Sequence, residues 1–262
     1  MLGTNDLNFS YRERPVLQEI NLNIKKGEML GILGPNGCGK TTLLKLLNRN
    51  LHPDSGNVLM NDTDLEKVSK REIARHIAVV PQSNEIRFAF SVRDIVMMGR
   101  MPFMGQFQGE STEDMRIVEE SMKKTSIMEF ADRFINTMSG GERQRVIIAR
   151  ALAQKPEIIL LDEPNLHLDI SYQFEVLDLM KKLSEEEDLT VVIVSHDLPM
   201  VVKYCDRIVL IHDHRIFAMG TPEEVLTREN MRIVFHVDAV FEYDSTLKTN
   251  SVKIMGACKK QG

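Results

Sequence analysis

The sequence has no tryptophan and three cysteines in 262 residues, and none of its apolar runs approaches the ~18 to 20 residues of a membrane-spanning helix. Cys38, Cys205 and Cys258 fall at spacings that suit neither a disulfide framework nor a zinc site. Positive charge is also scarce. Lys and Arg total 33 against 38 Asp and Glu, a formal charge of -5, so there is no global basic field to hold nucleic acid by counterion release. The opening residues, MLGTNDLNFSYRERP, lack the basic start and apolar stretch of a signal peptide. These absences predict a reducing cytoplasm as the location and no nucleic acid as a partner. The sequence also has no low-complexity tract, internal repeat or Pro/Gly/Ser linker, which argues against tandem domains.

What is present is a soluble composition, 43% hydrophobic and 27% charged, with a regular alternation of elements. Short apolar runs at Met29 to Leu33, Ile77 to Val80, Ile158 to Leu161, Thr190 to Val194 and Ile208 to Ile211 read as buried strands. Helical periodicity separates them at Thr41 to Asn48, Ser171 to Ser184 and Leu198 to Tyr204. Strand and helix in this order predict an α/β chain with a largely parallel sheet covered on both faces. Residues 83–139 differ, being rich in Met, Phe and charge, with helices expected at Ser91 to Met98 and Thr112 to Thr125.

Gly34-Pro35-Asn36-Gly37-Cys38-Gly39-Lys40-Thr41 matches G-x-x-x-x-G-K-[ST] in full, between the apolar strand GEMLGIL and the segment TTLLKLL, which begins at Thr41 and Thr42. The glycines let backbone N–H groups turn inward as an anion nest at a helix start, Lys40 reaches the outer phosphates and the Thr41 hydroxyl is a ligand for Mg²⁺. A Gly-rich turn that merely opens a helix predicts neither Lys40 nor Thr41 at these offsets. The strand KPEIILLDEP ends in Asp162 and Glu163, at the sheet edge where open α/β sheets hold nucleotides. Asp162 suits Mg²⁺, and Glu163 suits the water that attacks a γ-phosphate. Met138-Ser139-Gly140-Gly141-Glu142 opens a second phosphate-binding helix start. One nucleotide needs only one such start, and a dimer completing each site with the partner's second motif resolves the surplus.

This ordered set resembles the nucleotide-binding subunit of an ATP-binding cassette (ABC) transporter over nearly the whole chain. The resemblance implies a P-loop ATPase of the ABC type: a mostly parallel core, an N-terminal antiparallel β part and a helical subdomain at about 83–141 inserted in a RecA-like core. A single domain would span 1–262, with 237–262 as a short C-terminal tail. It implies Tyr11 as the aromatic on adenine and Gln82 as the metal- and water-sensing glutamine. His196 becomes the γ-phosphate histidine, Ser139, Gly140, Gly141 and Glu142 the signature acting on the partner's ATP, and the loop from Asn165 to Asp169 a dimer-interface segment. Thr41, Gln82 and Asp162 are then the metal residues, and ATP and Mg²⁺ the cofactors. Partners implied are a second copy of the subunit, a multi-span permease and, indirectly, an extracellular or periplasmic substrate-binding protein. The location becomes the cytoplasmic face of the inner membrane.

Three departures stand out: Glu142 where the family usually has Gln, Asn165 where it has Thr or Ser, and His214 at a turn that commonly carries Gly. Ser-x-x-Glu is a capping box, in which a carboxylate serves as well as an amide. His212 and His214 lack a third ligand at metal spacing and read as a turn. Cys38, beside Lys40, is expected to have a lowered thiol pKa and to be reactive.

Segments at Ser69 to Gln82, Ser91 to Pro102 and Gly220 to Ala239 resemble importers of iron-siderophore, haem, cobalamin and related metal chelates, and molybdate importers share related segments. Phe88, Phe90, Met97, Met98, Met101, Phe103, Met104 and Phe107 form an adaptable apolar set where the family docks its permease. Residues 241–262 are polar and pattern-poor and suggest no function. The expected protein is thus an ATP-hydrolysing subunit powering import of a metal chelate or oxyanion; the alternative is a soluble ABC ATPase acting in assembly, repair or translation.

Overall fold

Along Leu2–Tyr11 (β1) and Arg14–Ile24 (β2), apolar side chains alternate inward: Leu2, Leu7 and Phe9 on one strand, Leu17, Ile20, Leu22 and Ile24 on the other. Between Thr4 and Leu7 the inward set skips a residue, at a register shift where Asp6 takes a left-handed φ of 44°. This bulge keeps both halves of β1 facing the core. We describe a computed structural model that covers residues 2–82, 88–105, 109–164, 169–244 and 249–258. Its two units are residues 1–67 with 192–262, and residues 68–191.

In the first unit β1 pairs antiparallel with β2 and with Ser55–Met60 (β4), which carries the short Thr63–Asp64 (β5). Met29–Leu33 (β3) is buried at every position and runs through the glycine-rich loop into Lys40–Leu47 (α1). In the second unit come Lys70–His76 (α2), Ile77–Val80 (β6), Val92–Met97 (α3), Thr112–Lys124 (α4), Gly140–Ala153 (α5), Ile158–Asp162 (β7) and Ile170–Glu187 (α6). β6 and β7 pair in parallel. Thr190–Val194 (β8) leads back to the first unit and Leu198–Tyr204 (α7). Arg207–His212 (β9) then lies parallel to β3, with Arg215–Gly220 (β10) antiparallel on its outer side.

Serine punctuates the helical stretch. Ser91, Ser111 and Ser139 each accept the N–H three residues on and have their own N–H bound by Asp94, Asp114 or Glu142, so α3, α4 and α5 all start with a capping box. Asp114 also takes the Nε of buried Arg100 at 2.8 Å, while the same guanidinium donates to the Ala153 carbonyl at the end of α5. The strands and helices expected from periodicity are found at those places.

The C-terminal stretch overturns the expectation of an unpatterned tail. After Pro222–Val225 (α8) and Arg228–Phe235 (α9), Val237–Asp244 (β11) and Thr249–Ala257 (β12) form an antiparallel hairpin. Ala239 is buried on β11, and Asp238 is gripped by Arg228 and Arg232 of α9, which ties the hairpin to the helix before it. The alternation is thin because Tyr243, Ile254 and Met255 stay exposed.

Removing the Asp114 carboxylate leaves Arg100 buried without its counter-charge, so Asp114→Asn is expected to cost about 3 kcal/mol, read from urea unfolding. The Ser111 hydroxyl, then Arg100, hold the Asp114 carboxyl below its ordinary value of 3.8. A lowered folded pKa stabilises above the unfolded value and is lost as pH falls through the folded one. Wild type should therefore lose this contribution below about pH 4, and Asp114→Asn should show a flatter acid limb.

Candidate nucleotide site

The loop between β3 and α1 is built on backbone that only glycine accepts readily. Gly34, Gly37 and Gly39 have φ of 151°, 82° and 104°. Gly39 is the helix N-cap and brings no side chain to the start of α1, leaving room there for a ligand. A Cβ at Gly39 would also meet Leu17 at 2.7 Å and the Val16 carbonyl at 2.9 Å, and one at Gly34 would run into the Ile211 carbonyl. Lys40 is buried, and its ammonium donates to the carbonyls of Gly34 at 2.8 Å and Pro35 at 3.0 Å. Thr42 is buried in the first turn of α1, and Thr41 is half-buried beside it.

His214 supports this loop from behind. Asp213 (φ 45°) and His214 (φ 67°) form the two-residue turn between β9 and β10 in the left-handed geometry of a tight hairpin. His214 Nδ1–H donates to the Val16 carbonyl at 3.2 Å, and the Gln18 N–H donates to the His214 carbonyl at 2.7 Å. The turn thereby fixes Val16, which presses on Gly39. No cluster of three metal-ligating side chains occurs among the described residues. Tyr11, at the end of β1, is 47% exposed, with its ring edge-on to Phe9 at 4.9 Å. The Ser195 N–H reaches the Ile32 carbonyl, which sets exposed His196 at the carboxyl edge of β3.

In the second unit Asp162 is buried at the carboxyl end of β7. Glu163 follows with a left-handed φ of 47°, a costly conformation for a side-chain-bearing residue of the kind found at functional sites. Its Oε2 accepts the Gln82 amide at 2.8 Å, so two expected site residues 81 positions apart are in contact. At the start of α5 the Glu142 Oε2 accepts the Ser139 N–H at 2.8 Å and the Ser139 Oγ accepts the Glu142 N–H at 3.3 Å. The Ser139 N–H, with Arg133 and Arg145 nearby, holds the Glu142 carboxyl below its ordinary range. Asp169 is the N-cap of α6, and Asn165 lies outside the described residues.

Two sequence expectations change. Met97 is 7% exposed and belongs to the core, whereas Phe88, Phe90, Met101 and Phe103 are exposed; Phe107 lies outside the described residues. The exposed stretch after α3 is held by arginines that sequence reasoning passed over: Arg71 donates to the carbonyls of Pro102 and Met104, Arg75 donates to that of Pro102, and Arg100 stacks on Phe103 at 4.1 Å. The second change is Cys38. Burial pushes its thiol upward and outweighs the opposing pull of Lys40, whose ammonium is spent on two carbonyls. A second omission is Tyr172, whose ring lies on Gly141. Nothing in the local sequence distinguishes it from any helix-face aromatic.

The profile described as "ABC transporter" matches residues 17–166. The chain belongs to the ABC transporter ATP-binding family. A probable siderophore transport system ATP-binding protein, YusV of Bacillus subtilis (strain 168), is 40% identical over 95% of this chain and 90% of its own. Among solved structures, an inward-facing putative metal-chelate type ABC transporter has a TM-score of 0.86 at 31% identity, covering 98% of each chain. The ATP-binding cassette MJ0796, solved as a dimer in a post-hydrolysis state with ADP and Pi, has a TM-score of 0.73 at 31% identity over 85% of this chain and 99% of that one. This ABC cassette is an ATP-hydrolysing transporter ATPase of α/β fold, and no helix among its described residues is long and apolar enough to cross a membrane.

The cassette's buried Cys38 should resist alkylation. With iodoacetamide at pH 7.5, peptide mapping should show half-exposed Cys258 modified while Cys38 stays unmodified until the protein is denatured. Equal labelling of the two would restore the reactive-thiol expectation.

Proposed function

We propose that this ATPase dimerises around two ATP molecules and drives a membrane permease that imports a metal chelate of the iron-siderophore type. The observation that carries the dimer is the second phosphate-binding helix start. Gly140 takes an ordinary helical φ, and a Cβ there would meet nothing within 4 Å of the described residues. Neither strain nor packing among the described residues calls for glycine at this point. Close approach of a partner's nucleotide would, and a similar cassette solved as a dimer with ADP and Pi supports the dimer.

Within each site the loop Gly34-Pro35-Asn36-Gly37-Cys38-Gly39 and the first turn of α1 through Thr42 cradle the phosphates with their backbone N–H groups, with Lys40 on the outer ones. Tyr11 offers its exposed ring to adenine, and His196 contacts the γ-phosphate. The hydroxyl of Thr41, the carboxylate of Asp162 and the amide of Gln82 are hard oxygen donors of the kind Mg²⁺ prefers, few enough to leave its remaining positions to phosphate and water. When bound, the ion neutralises charge developing on the transferred phosphate. Glu163 orients the attacking water and takes its proton, positioned by the Gln82 amide. Ser139, Gly140 and Gly141 complete the partner's site, with Glu142 turned back onto its own helix, and Asp169 faces the partner across the interface.

The exposed Phe88, Met101 and Phe103, backed by Arg71 and Arg75, form the surface for a cytoplasmic helix of the permease. The relative named for siderophore transport and the metal-chelate type structure support this cargo class over an oxyanion.

The test is ATP-driven uptake of a ⁵⁵Fe-siderophore by vesicles carrying this chain together with a siderophore permease. Glu163→Gln should keep capture by the permease and lower uptake at least ~100-fold. Met101→Glu should weaken capture while ATP affinity holds. Uptake of molybdate alone would overturn the cargo, and capture of RNA in place of a permease would overturn transport.

A further inference from the structure

The start of α5 and the start of α6 meet at one aromatic ring. A Cβ built on Gly141 would lie 2.9 Å from Cδ2 of Tyr172 and 3.1 Å from both Cε2 and Cγ, so the face of the ring rests directly on the glycine backbone. One turn along α5, Arg145 lays its guanidinium over the same ring at 4.7 Å from the centroid. One turn along α6, Glu175 pairs with Arg145. Two residues from each helix thus interlock. Just beyond them a cavity of about 520 Å³ opens, lined by Lys124, Arg145, Ile148, Glu175, Val176 and Leu179. The two helix starts are joined at this lock, with the cavity opening between the helices beyond it.

The two signature glycines differ. Gly140 is open, whereas Gly141 is a seat for Tyr172. Ser139, the N-cap of α5, stands two residues before that seat, and Asp169, the N-cap of α6, stands three before Tyr172. We propose that Tyr172 is a positioning residue: its ring, seated on Gly141 and covered by Arg145, fixes the signature helix start to the start of α6, so that Ser139–Gly141 and Asp169 meet the partner subunit as one rigid piece. The inference rests on the dimer reading above. It makes no contact between Tyr172 and ATP, so the ring acts on assembly and leaves nucleotide binding by the single subunit unchanged.

The experiment uses the full chain with Glu163→Gln to slow hydrolysis, and reads the ATP concentration that half-dimerises it by light scattering, alongside ATP affinity under monomeric conditions. Tyr172→Phe keeps the ring and should stay within twofold of its parent. Tyr172→Ala and Tyr172→Leu, the latter retaining apolar volume, should each raise the half-dimerising concentration at least tenfold while ATP affinity of the monomer stays within twofold. A folding defect would instead reduce ATP affinity in all forms, which would overturn a positioning role. A parent that dimerises while both Ala and Leu variants dimerise equally well overturns the inference alone. A parent that stays monomeric at saturating ATP overturns the dimer reading, and the inference with it.

Discussion

The proposed nucleotide site depends on a short run of backbone whose conformation glycine alone adopts readily, so that peptide N–H groups and not side chains meet the phosphates. Gly34, Gly37 and Gly39 meet that demand in left-handed backbone, at the conformational-entropy cost glycine carries in any ordered segment. The surroundings offset the cost. β3 is buried along its whole length, α1 is packed through Leu43, Leu44, Leu46 and Leu47, and Val16 and Leu17 close on Gly39 from β2. The His214 turn, far away in sequence, fixes Val16 through its ring and its carbonyl. What stands out in sequence as an unusual histidine is a brace for the phosphate loop.

The second unit handles charge in the same way, through fixed partners. Glu163 sits in strained backbone with its carboxylate on Gln82, and Glu142 is held by the N–H of its own cap. A carboxylate bound to the Ser139 N–H is directed into its own helix start, which fits the proposed role of this segment at a partner's phosphate. Gly140 is open, as the proposed approach of a partner's nucleotide requires, and Gly141 lies under Tyr172. Arg71 and Arg75 do for the exposed stretch after α3 what the caps do for the helices, taking up the carbonyls of Pro102 and Met104, while Arg100 stacks on Phe103.

The strands, the phosphate loop, the Asp162–Glu163 strand end and the capped signature were legible because each is encoded within about ten consecutive residues, by periodicity and by residue types with narrow backbone preferences. The antiparallel N-terminal part came from the family resemblance. What escaped was set by long-range packing. The charge of Lys40 lies close in sequence to Cys38, but burial, which sequence does not display, decides the thiol's state. Met97 reads like half-buried Met98 and exposed Met101 until the helix packs. The β11–β12 hairpin hides because half its apolar residues are left exposed, and Tyr172 gains its place only from a helix thirty residues earlier.

The central claim is that left-handed backbone in the loop, and not merely the charge of Lys40, creates the nucleotide site. Its direct test is calorimetric ATP binding by Gly39→Ala, with the fold checked by circular dichroism. A methyl at that φ costs about 1 to 3 kcal/mol, and here it also presses on Val16 and Leu17. The account predicts a folded protein that binds ATP at least about tenfold more weakly than wild type. A folded Gly39→Ala protein with ATP affinity within twofold of wild type would contradict it.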